Sequence, residues 1–188
     1  MEVSSYKNNL VKVTGKIEGE LTLSHNVRGK KFYTTFLSVE RLSGTIDTLP
    51  IVISEELLKN RNISSGDVFS AIGEYRSYND HKGGKTHLNL YIYAMEIMQI
   101  GEAEINENEI ILNGFICKPP AYRETPLGKE ITDLLLAVNR PRGKSDYIPC
   151  ICWGKNAKLM ARADVGEQLV IHGRVQSRSY IKRLDGRE

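Results

Sequence analysis

The sequence predicts an all-β chain with short helices, built as two tandem five-stranded barrels of which the second lacks its last strand. Three observations carry this prediction. An internal repeat divides the chain. Segments rich in β-branched, aromatic and leucine residues, bounded by turn formers, recur in the same order in both copies. One short helical segment falls between the third and fourth strand of each copy.

The repeat is found by placing Gly15 on Gly114, an offset of 99. Asn9, Ile17, Gly29 and Lys30 then meet Asn108, Ile116, Gly128 and Lys129, and Leu37, Val39 and Arg41 meet Leu136, Val138 and Arg140. Gly44, Asp47, Pro50 and Lys59 meet Gly143, Asp146, Pro149 and Lys158, which makes twelve identities over residues 9–59. Average composition would supply about three by chance. One inserted residue shifts the offset to 100, and Gly66, Gly73 and Ser77 then meet Gly166, Gly173 and Ser177. The chain therefore reads as two copies of one domain, residues 1–100 and 108–188, joined by the short acidic stretch 101–107.

In order, the first strand is Leu10–Ile17 or Glu109–Ile116, followed by a polar turn region carrying Gly-Lys. The second is Phe32–Val39 or Ile131–Asn139, and the third is Leu49–Ile53 or Tyr147–Trp153. A short helix follows, Glu55–Lys59 or Asn156–Ala161, and then the fourth strand, Val68–Arg76 or Gln168–Ser177. The first copy continues through a hairpin tip, Asn79–Lys85, into a fifth strand, Thr86–Met98, with Leu88, Leu90, Ile92 and Ala94 on one parity. Five strands with a helix between the third and fourth match the OB arrangement. The second copy stops where its own hairpin tip is expected, which reads as a truncated chain with an open barrel edge.

Composition excludes several classes. A hydrophobic fraction of 40% is that of a folded globular protein. No apolar run reaches the roughly 18–20 residues that span a bilayer, and Met1–Ser5 does not open a secretory signal. Three cysteines argue against a disulfide framework and point to a reducing cytoplasm. A net charge of +3 and a pI near 8.7 permit nucleic-acid binding without demonstrating it.

The second copy resembles bacterial single-stranded DNA-binding proteins. The resemblance rests on Asn113–Ile116, then Pro120, Arg123 and Thr125–Lys129, and on Ala137–Arg140, Asp146–Ala157 and Gly173–Tyr180. It covers residues 108–183; primosomal OB proteins share part of the pattern, and the first copy matches much more faintly. The resemblance implies a cationic groove that tracks the backbone and aromatic side chains that stack on bases. It places stacking positions on Tyr147, Trp153 and Tyr180. Tyr147 and Trp153 are six residues apart and so share one face of a strand. Ile148, Cys150 and Cys152 make the other face apolar too, so for Trp153 a buried core or subunit contact stays open beside base stacking.

The cations expected to face a strand are Arg123, Lys129, Arg140, Arg142, Lys144, Lys155, Arg174, Arg178 and Lys182, with Lys118 and Arg183 nearby. Arg140–Lys144 lies in one loop, where a solvated surface is the plain alternative. In the first copy Thr48 and Ser54 stand in place of Tyr147 and Trp153, so its stacking platform is expected to be largely missing. Arg76, Tyr78, Lys82 and Lys85 could still contact a strand, and Arg28, Lys30 and Lys31 form another basic cluster. The first barrel is expected to assemble the protein and the second to supply stacking.

No phosphate loop, zinc-protease motif or nucleophile elbow is present. Cys117, Cys150 and Cys152 lack a partner motif for zinc and suit a strand interior, and His172, in an apolar strand, reads as a structural histidine. No cofactor, metal or catalysis is expected. The expectation is single-stranded DNA binding without strong sequence preference, in replication, recombination or repair, in a cytoplasmic, nucleoid-associated protein. The resemblance implies a homodimer and an acidic tail that recruits replication or repair proteins; no such tail is present in the sequence. The alternative is a protein-interaction OB module of a primosome or mobile-element system with weak DNA binding.

Overall fold

A computed structural model describes residues 8–100, 107–141 and 143–178. Alternating apolar residues build β1 (Asn9–Val27), where Val11, Val13 and Ile17 are buried. Then follow β2 (Lys30–Glu40), β3 (Ile46–Ser54), α1 (Glu55–Leu58), β4 (Val68–Lys82) and β5 (Lys85–Gln99). Ser54 caps α1, its Oγ accepting from the Leu57 amide. β1 pairs with β2 and β4, β2 with β3, and β4 with β5. A short parallel pairing, Ile51 with Ile92 and Val52 with Tyr93, joins β3 to β5 and closes the first half into a barrel with OB connectivity.

The second half repeats the plan with β6 (Asn108–Ile116), β7 (Ala121–Glu124), β8 (Glu130–Asn139), β9 (Ser145–Trp153), α2 (Lys155–Met160) and β10 (Gln168–Gly173). β6 pairs with β8 and β10, and β8 with β7 and β9. Among the described residues no strand spans β9 and β10. β1 and β6 pair antiparallel, with Val11 opposite Ile110, so both halves share one ten-stranded sheet. One buried apolar cluster runs through them, from Leu37, Ile51 and Phe69 to Ile110, Leu136, Ile148 and Val175.

Several boundaries differ from the sequence expectation, each for a physical reason. β1 runs past Ile17 to Val27 because its far end stays paired to β2 as an exposed ribbon outside the barrel. In the second half the same path is broken by Pro119 and Pro120, which supply no amide hydrogen, and β7 resumes it. The expected tip Asn79–Lys85 narrows to Gly83 and Gly84 at φ 59° and 72°, because Lys82 still pairs with Lys85. Leu88, on this ribbon, is exposed, while Ile92 and Ala94 enter the core as expected. β10 ends at Gly173 rather than Ser177: beyond it side chains replace the ladder. The Asn108 amide bonds both backbone groups of Val175 at 2.8 and 2.9 Å, as Asn9 bonds both groups of Tyr75.

The repeated residues now acquire reasons. A Cβ on Gly15 or Gly114 would lie 2.6 Å from the Ser38 or Ala137 carbonyl oxygen. Asp47 and Asp146, 0% and 1% exposed, each form an ion pair with the arginine of the same half and reach the serine of the other. The Arg41 guanidinium donates to Asp47 at 2.6 and 2.7 Å and to the Ser177 carbonyl at 3.2 Å, and the Ser177 amide donates to Asp47 at 2.7 Å. Arg140 grips Asp146 in the same bidentate way and donates to the Ser77 carbonyl at 3.1 Å, while the Ser77 amide donates to Asp146. Two pseudosymmetric clamps thus fasten the halves together.

Gly73 and Gly173 separate local from tertiary demand. A Cβ on Gly73 would lie 2.0 Å from the Tyr93 carbonyl oxygen, whereas on Gly173 it would meet only Ile110 Cγ2 at 3.9 Å. Gly73→Ala is therefore expected to cost about 1–3 kcal/mol or more, and Gly173→Ala to stay within about 0.5 kcal/mol of the parent. Urea midpoints of the two variants check this; equal losses would refute it.

Candidate nucleic-acid interface

The outer face of β8 and β9 is the candidate surface. In register, Ala137, Leu135, Asp133 and Ile131 of β8 face Tyr147, Pro149, Ile151 and Trp153 of β9. The opposite parity, with Leu136 on Ile148 and Leu134 on Cys150, points inward. Ile148 is 2% exposed, whereas Tyr147 and Trp153 are 44% and 45% exposed. Trp153 is thus half-exposed, although Ile131, directly opposite it on β8, is 1% exposed. The inward face is the one covered by the shared core, with Cys150 packed against it.

Trp153 is one of the residues lining a groove of about 870 Å³ between β9, α2 and β10, where the inward-facing Ile110, Leu112, Ile148 and Cys150 are also reached because no described strand spans β9 and β10. Arg174, Arg178, His172 and Leu159 also line it. The Arg178 guanidinium carbon lies 6.0 Å from the centre of the Trp153 ring. On the other side, Arg123, Ile131 and Trp153 lie in register across β7, β8 and β9. Arg123 donates to Asp133 at 2.6 Å in a half-exposed ion pair. Lys129, Lys144 and Lys155 are exposed, at the β7–β8 turn, before β9 and at the start of α2. His172, expected to be structural, is instead exposed on the groove: β10 is uncovered on that side among the described residues.

Not every expected residue joins this surface. Arg140 is bound up in its clamp, with Asp146 and Ser77 as partners. Arg142, Tyr180 and Lys182 lie outside the described residues, as does the side chain of Lys82. In the first half, Tyr78 is exposed and stacks edge-on with Tyr91, at 5.8 Å between ring centres. Arg76 pairs with Glu74 at 2.7 Å and covers the Tyr93 ring at 3.6 Å. Lys85 is exposed at the ribbon end.

The first half is less cationic there than its sequence suggests. Lys30 and Lys31 pair with Glu56 and Glu55 in the first turn of α1, at 3.7 and 3.5 Å. α2 has no acidic residue in its first turn and begins with Lys155. Sequence reasoning also passed over Phe36, 48% exposed on the outer face of β2 opposite Pro50. Comparing Thr48 and Ser54 with Tyr147 and Trp153 looked only at β3; the alternation of Phe32, Thr34 and Phe36 on β2 was the available signal.

Cys150 and Cys152 also line the groove. Burial, with Cys152 beside it, pushes the Cys150 thiol up to about 12, and burial also raises Cys152 and Cys117. Burial thus disfavours the reactive thiolate form of all three cysteines. Among the described residues no group of three or more His, Cys, Asp or Glu side chains could hold a metal ion, and no helix is long and apolar enough to cross a membrane.

Residues 107–188 match the model of the single-strand binding protein family. Single-stranded DNA-binding protein 3 of Listeria innocua is 36% identical over 80 residues, covering 39% of this chain and 50% of the relative. The single-stranded DNA-binding protein of Enterococcus faecalis is 38% identical over 80 residues, covering 39% of this chain and 43% of the relative. The chain spans about half the length of the curated relatives it matches. The crystal structure of the wild-type single-stranded DNA binding protein from Thermus aquaticus aligns over 88% of this chain and 84% of its own, with a TM-score of 0.74 and 19% identity, a likeness of fold. Residues 107–188 thus match the model of the single-strand binding protein family, and the described residues share the fold of the Thermus protein.

Proposed function

We propose that this chain binds single-stranded DNA without strong sequence preference and without catalysis, in replication, recombination or repair. The observation that carries the reading is the exposed outer face of β9. Tyr147 and Trp153 stand there at the two ends of an apolar strip, with Arg178 over Trp153 and Arg123 in register beside it. Stacking tolerates any base because every base has a π-face, and arginines neutralise the phosphates between. Residues 1–100 and 108–188 act as two OB domains joined by 101–107, the first chiefly an assembly and electrostatic unit. Leu10 and Ile111, paired and half-buried on the outer side of the β1–β6 seam, suit the contact of a homodimer in the cytoplasm. Replication or repair proteins are its expected company.

A fluorescence titration tests the reading. The probe is a dT oligonucleotide of about 35 nucleotides, enough for two barrels at roughly 4–16 nucleotides each. Binding is expected to quench Trp153 and to weaken steeply as salt rises, through counterion release. No binding at low salt would overturn the reading in favour of a protein-interaction module.

A further inference from the structure

The clamp built on Asp47 does more than join the halves, because of what it holds. Among the described residues, each hydrogen bond of Ser177 crosses to the first half. Its amide and hydroxyl donate to Asp47 at 2.7 and 3.3 Å, its carbonyl accepts from Arg41 at 3.2 Å, and its Oγ accepts from the Thr48 amide at 3.0 Å. The segment after Gly173 has left the β10 ladder, so the second half alone does not fix Ser177. The next residue is Arg178, whose guanidinium lies over Trp153. The mirror clamp holds Ser77 by Asp146, Arg140 and the Tyr147 amide, directly before Tyr78.

We propose that Asp47 and Arg41 of the first half are positioning residues for the DNA surface of the second: by holding Ser177 they set Arg178 over Trp153. By the same geometry, Asp146 and Arg140 set Tyr78 of the first half. Each half thus shapes the contact residue of the other, and Arg140 serves the surface without touching DNA. The inference rests on the single-stranded DNA reading above. It explains why Arg41, Asp47 and Ser77 recur in both copies although Tyr147 and Trp153 do not.

The test is a double-mutant cycle in the full chain, titrating the dT oligonucleotide of about 35 nucleotides into the parent, Asp47→Asn, Arg178→Ala and the double variant. Asp47→Asn is expected to weaken binding roughly 3- to 10-fold, to change the Trp153 emission of the folded protein, and to add little on top of Arg178→Ala. A general structural loss would instead lower Tm, leave the Trp153 emission below Tm unchanged, and add fully to Arg178→Ala; that result would overturn the proposal. If Asp47→Asn does not fold, Ser177→Ala, which leaves no buried charge unpaired, is read by the same criteria. A parent chain that does not bind the oligonucleotide would sink the functional reading, whereas parent binding with full additivity would sink this inference alone.

Discussion

Trp153→Ala is expected to weaken binding of the dT oligonucleotide by roughly 5- to 150-fold, the equivalent of about 1–3 kcal/mol for one stacked base. The argument is geometric. The ring is 45% exposed and lies opposite the buried Ile131, so truncation removes a contact surface and also part of the cover of Ile131. Urea unfolding is therefore expected to show a loss of about 1–3 kcal/mol, while the still-folded variant binds the oligonucleotide more weakly. Trp153→Phe keeps a π-face and is expected to retain most of the binding. Large loss of stability with unchanged affinity would return Trp153 to a packing role. Tyr147→Ala, on the same face, is expected to act in the same direction.

Asp146→Ala is expected to cost about 3–5 kcal/mol, because it leaves the Arg140 guanidinium, only 22% exposed, without its carboxylate. The Ser77 amide loses its acceptor in the same step, and the penalty falls on the seam between the halves. Since one apolar cluster runs through both halves, the loss is expected as a lower single unfolding transition in calorimetry. A separate early transition of one half would contradict a continuous core. The Asp47 clamp adds a pH signature. Burial alone would raise the Asp47 carboxyl, but hydrogen bonds from Arg41 and the Ser177 amide outweigh it and hold the group below its ordinary 3.8. A carboxylate depressed in the folded state stabilises fully above its ordinary value and loses that contribution as pH falls through the lowered one. Asp47→Asn is expected to flatten the acid limb of stability against pH below about pH 4. An unchanged acid limb would mean that Asp47 is not held in this state.

The repeat, the strand order and the fold class were legible because they depend on local patterns. Glycines at turns, β-branched alternation and one helical segment per copy are written at short range. The aromatic pair Tyr147 and Trp153 was legible as sharing a face, since strand parity depends only on the interval between residues. The face they share was not. Ile148, Cys150 and Cys152 are as apolar as their neighbours, and only packing against the shared core and the register on β8 chose between them. Arg140 illustrates the same limit: its charge was visible, but its use was set by Asp146 and by Ser77 of the other half.

By itself, then, the sequence determined that the chain is all-β and that it is a duplicated unit, and it singled out the aromatics and cations of the second copy as candidates. Tertiary structure decided which side of β9 faces water, which lysines are paired to the acids of α1, that Phe36 shares the outer face, and that Asp47 and Asp146 reach across the seam. The physical reason is range. Periodicity and turn chemistry act over a few residues, whereas these contacts join residues 69 and 130 positions apart, and only the packed sheet brings them within hydrogen-bond distance.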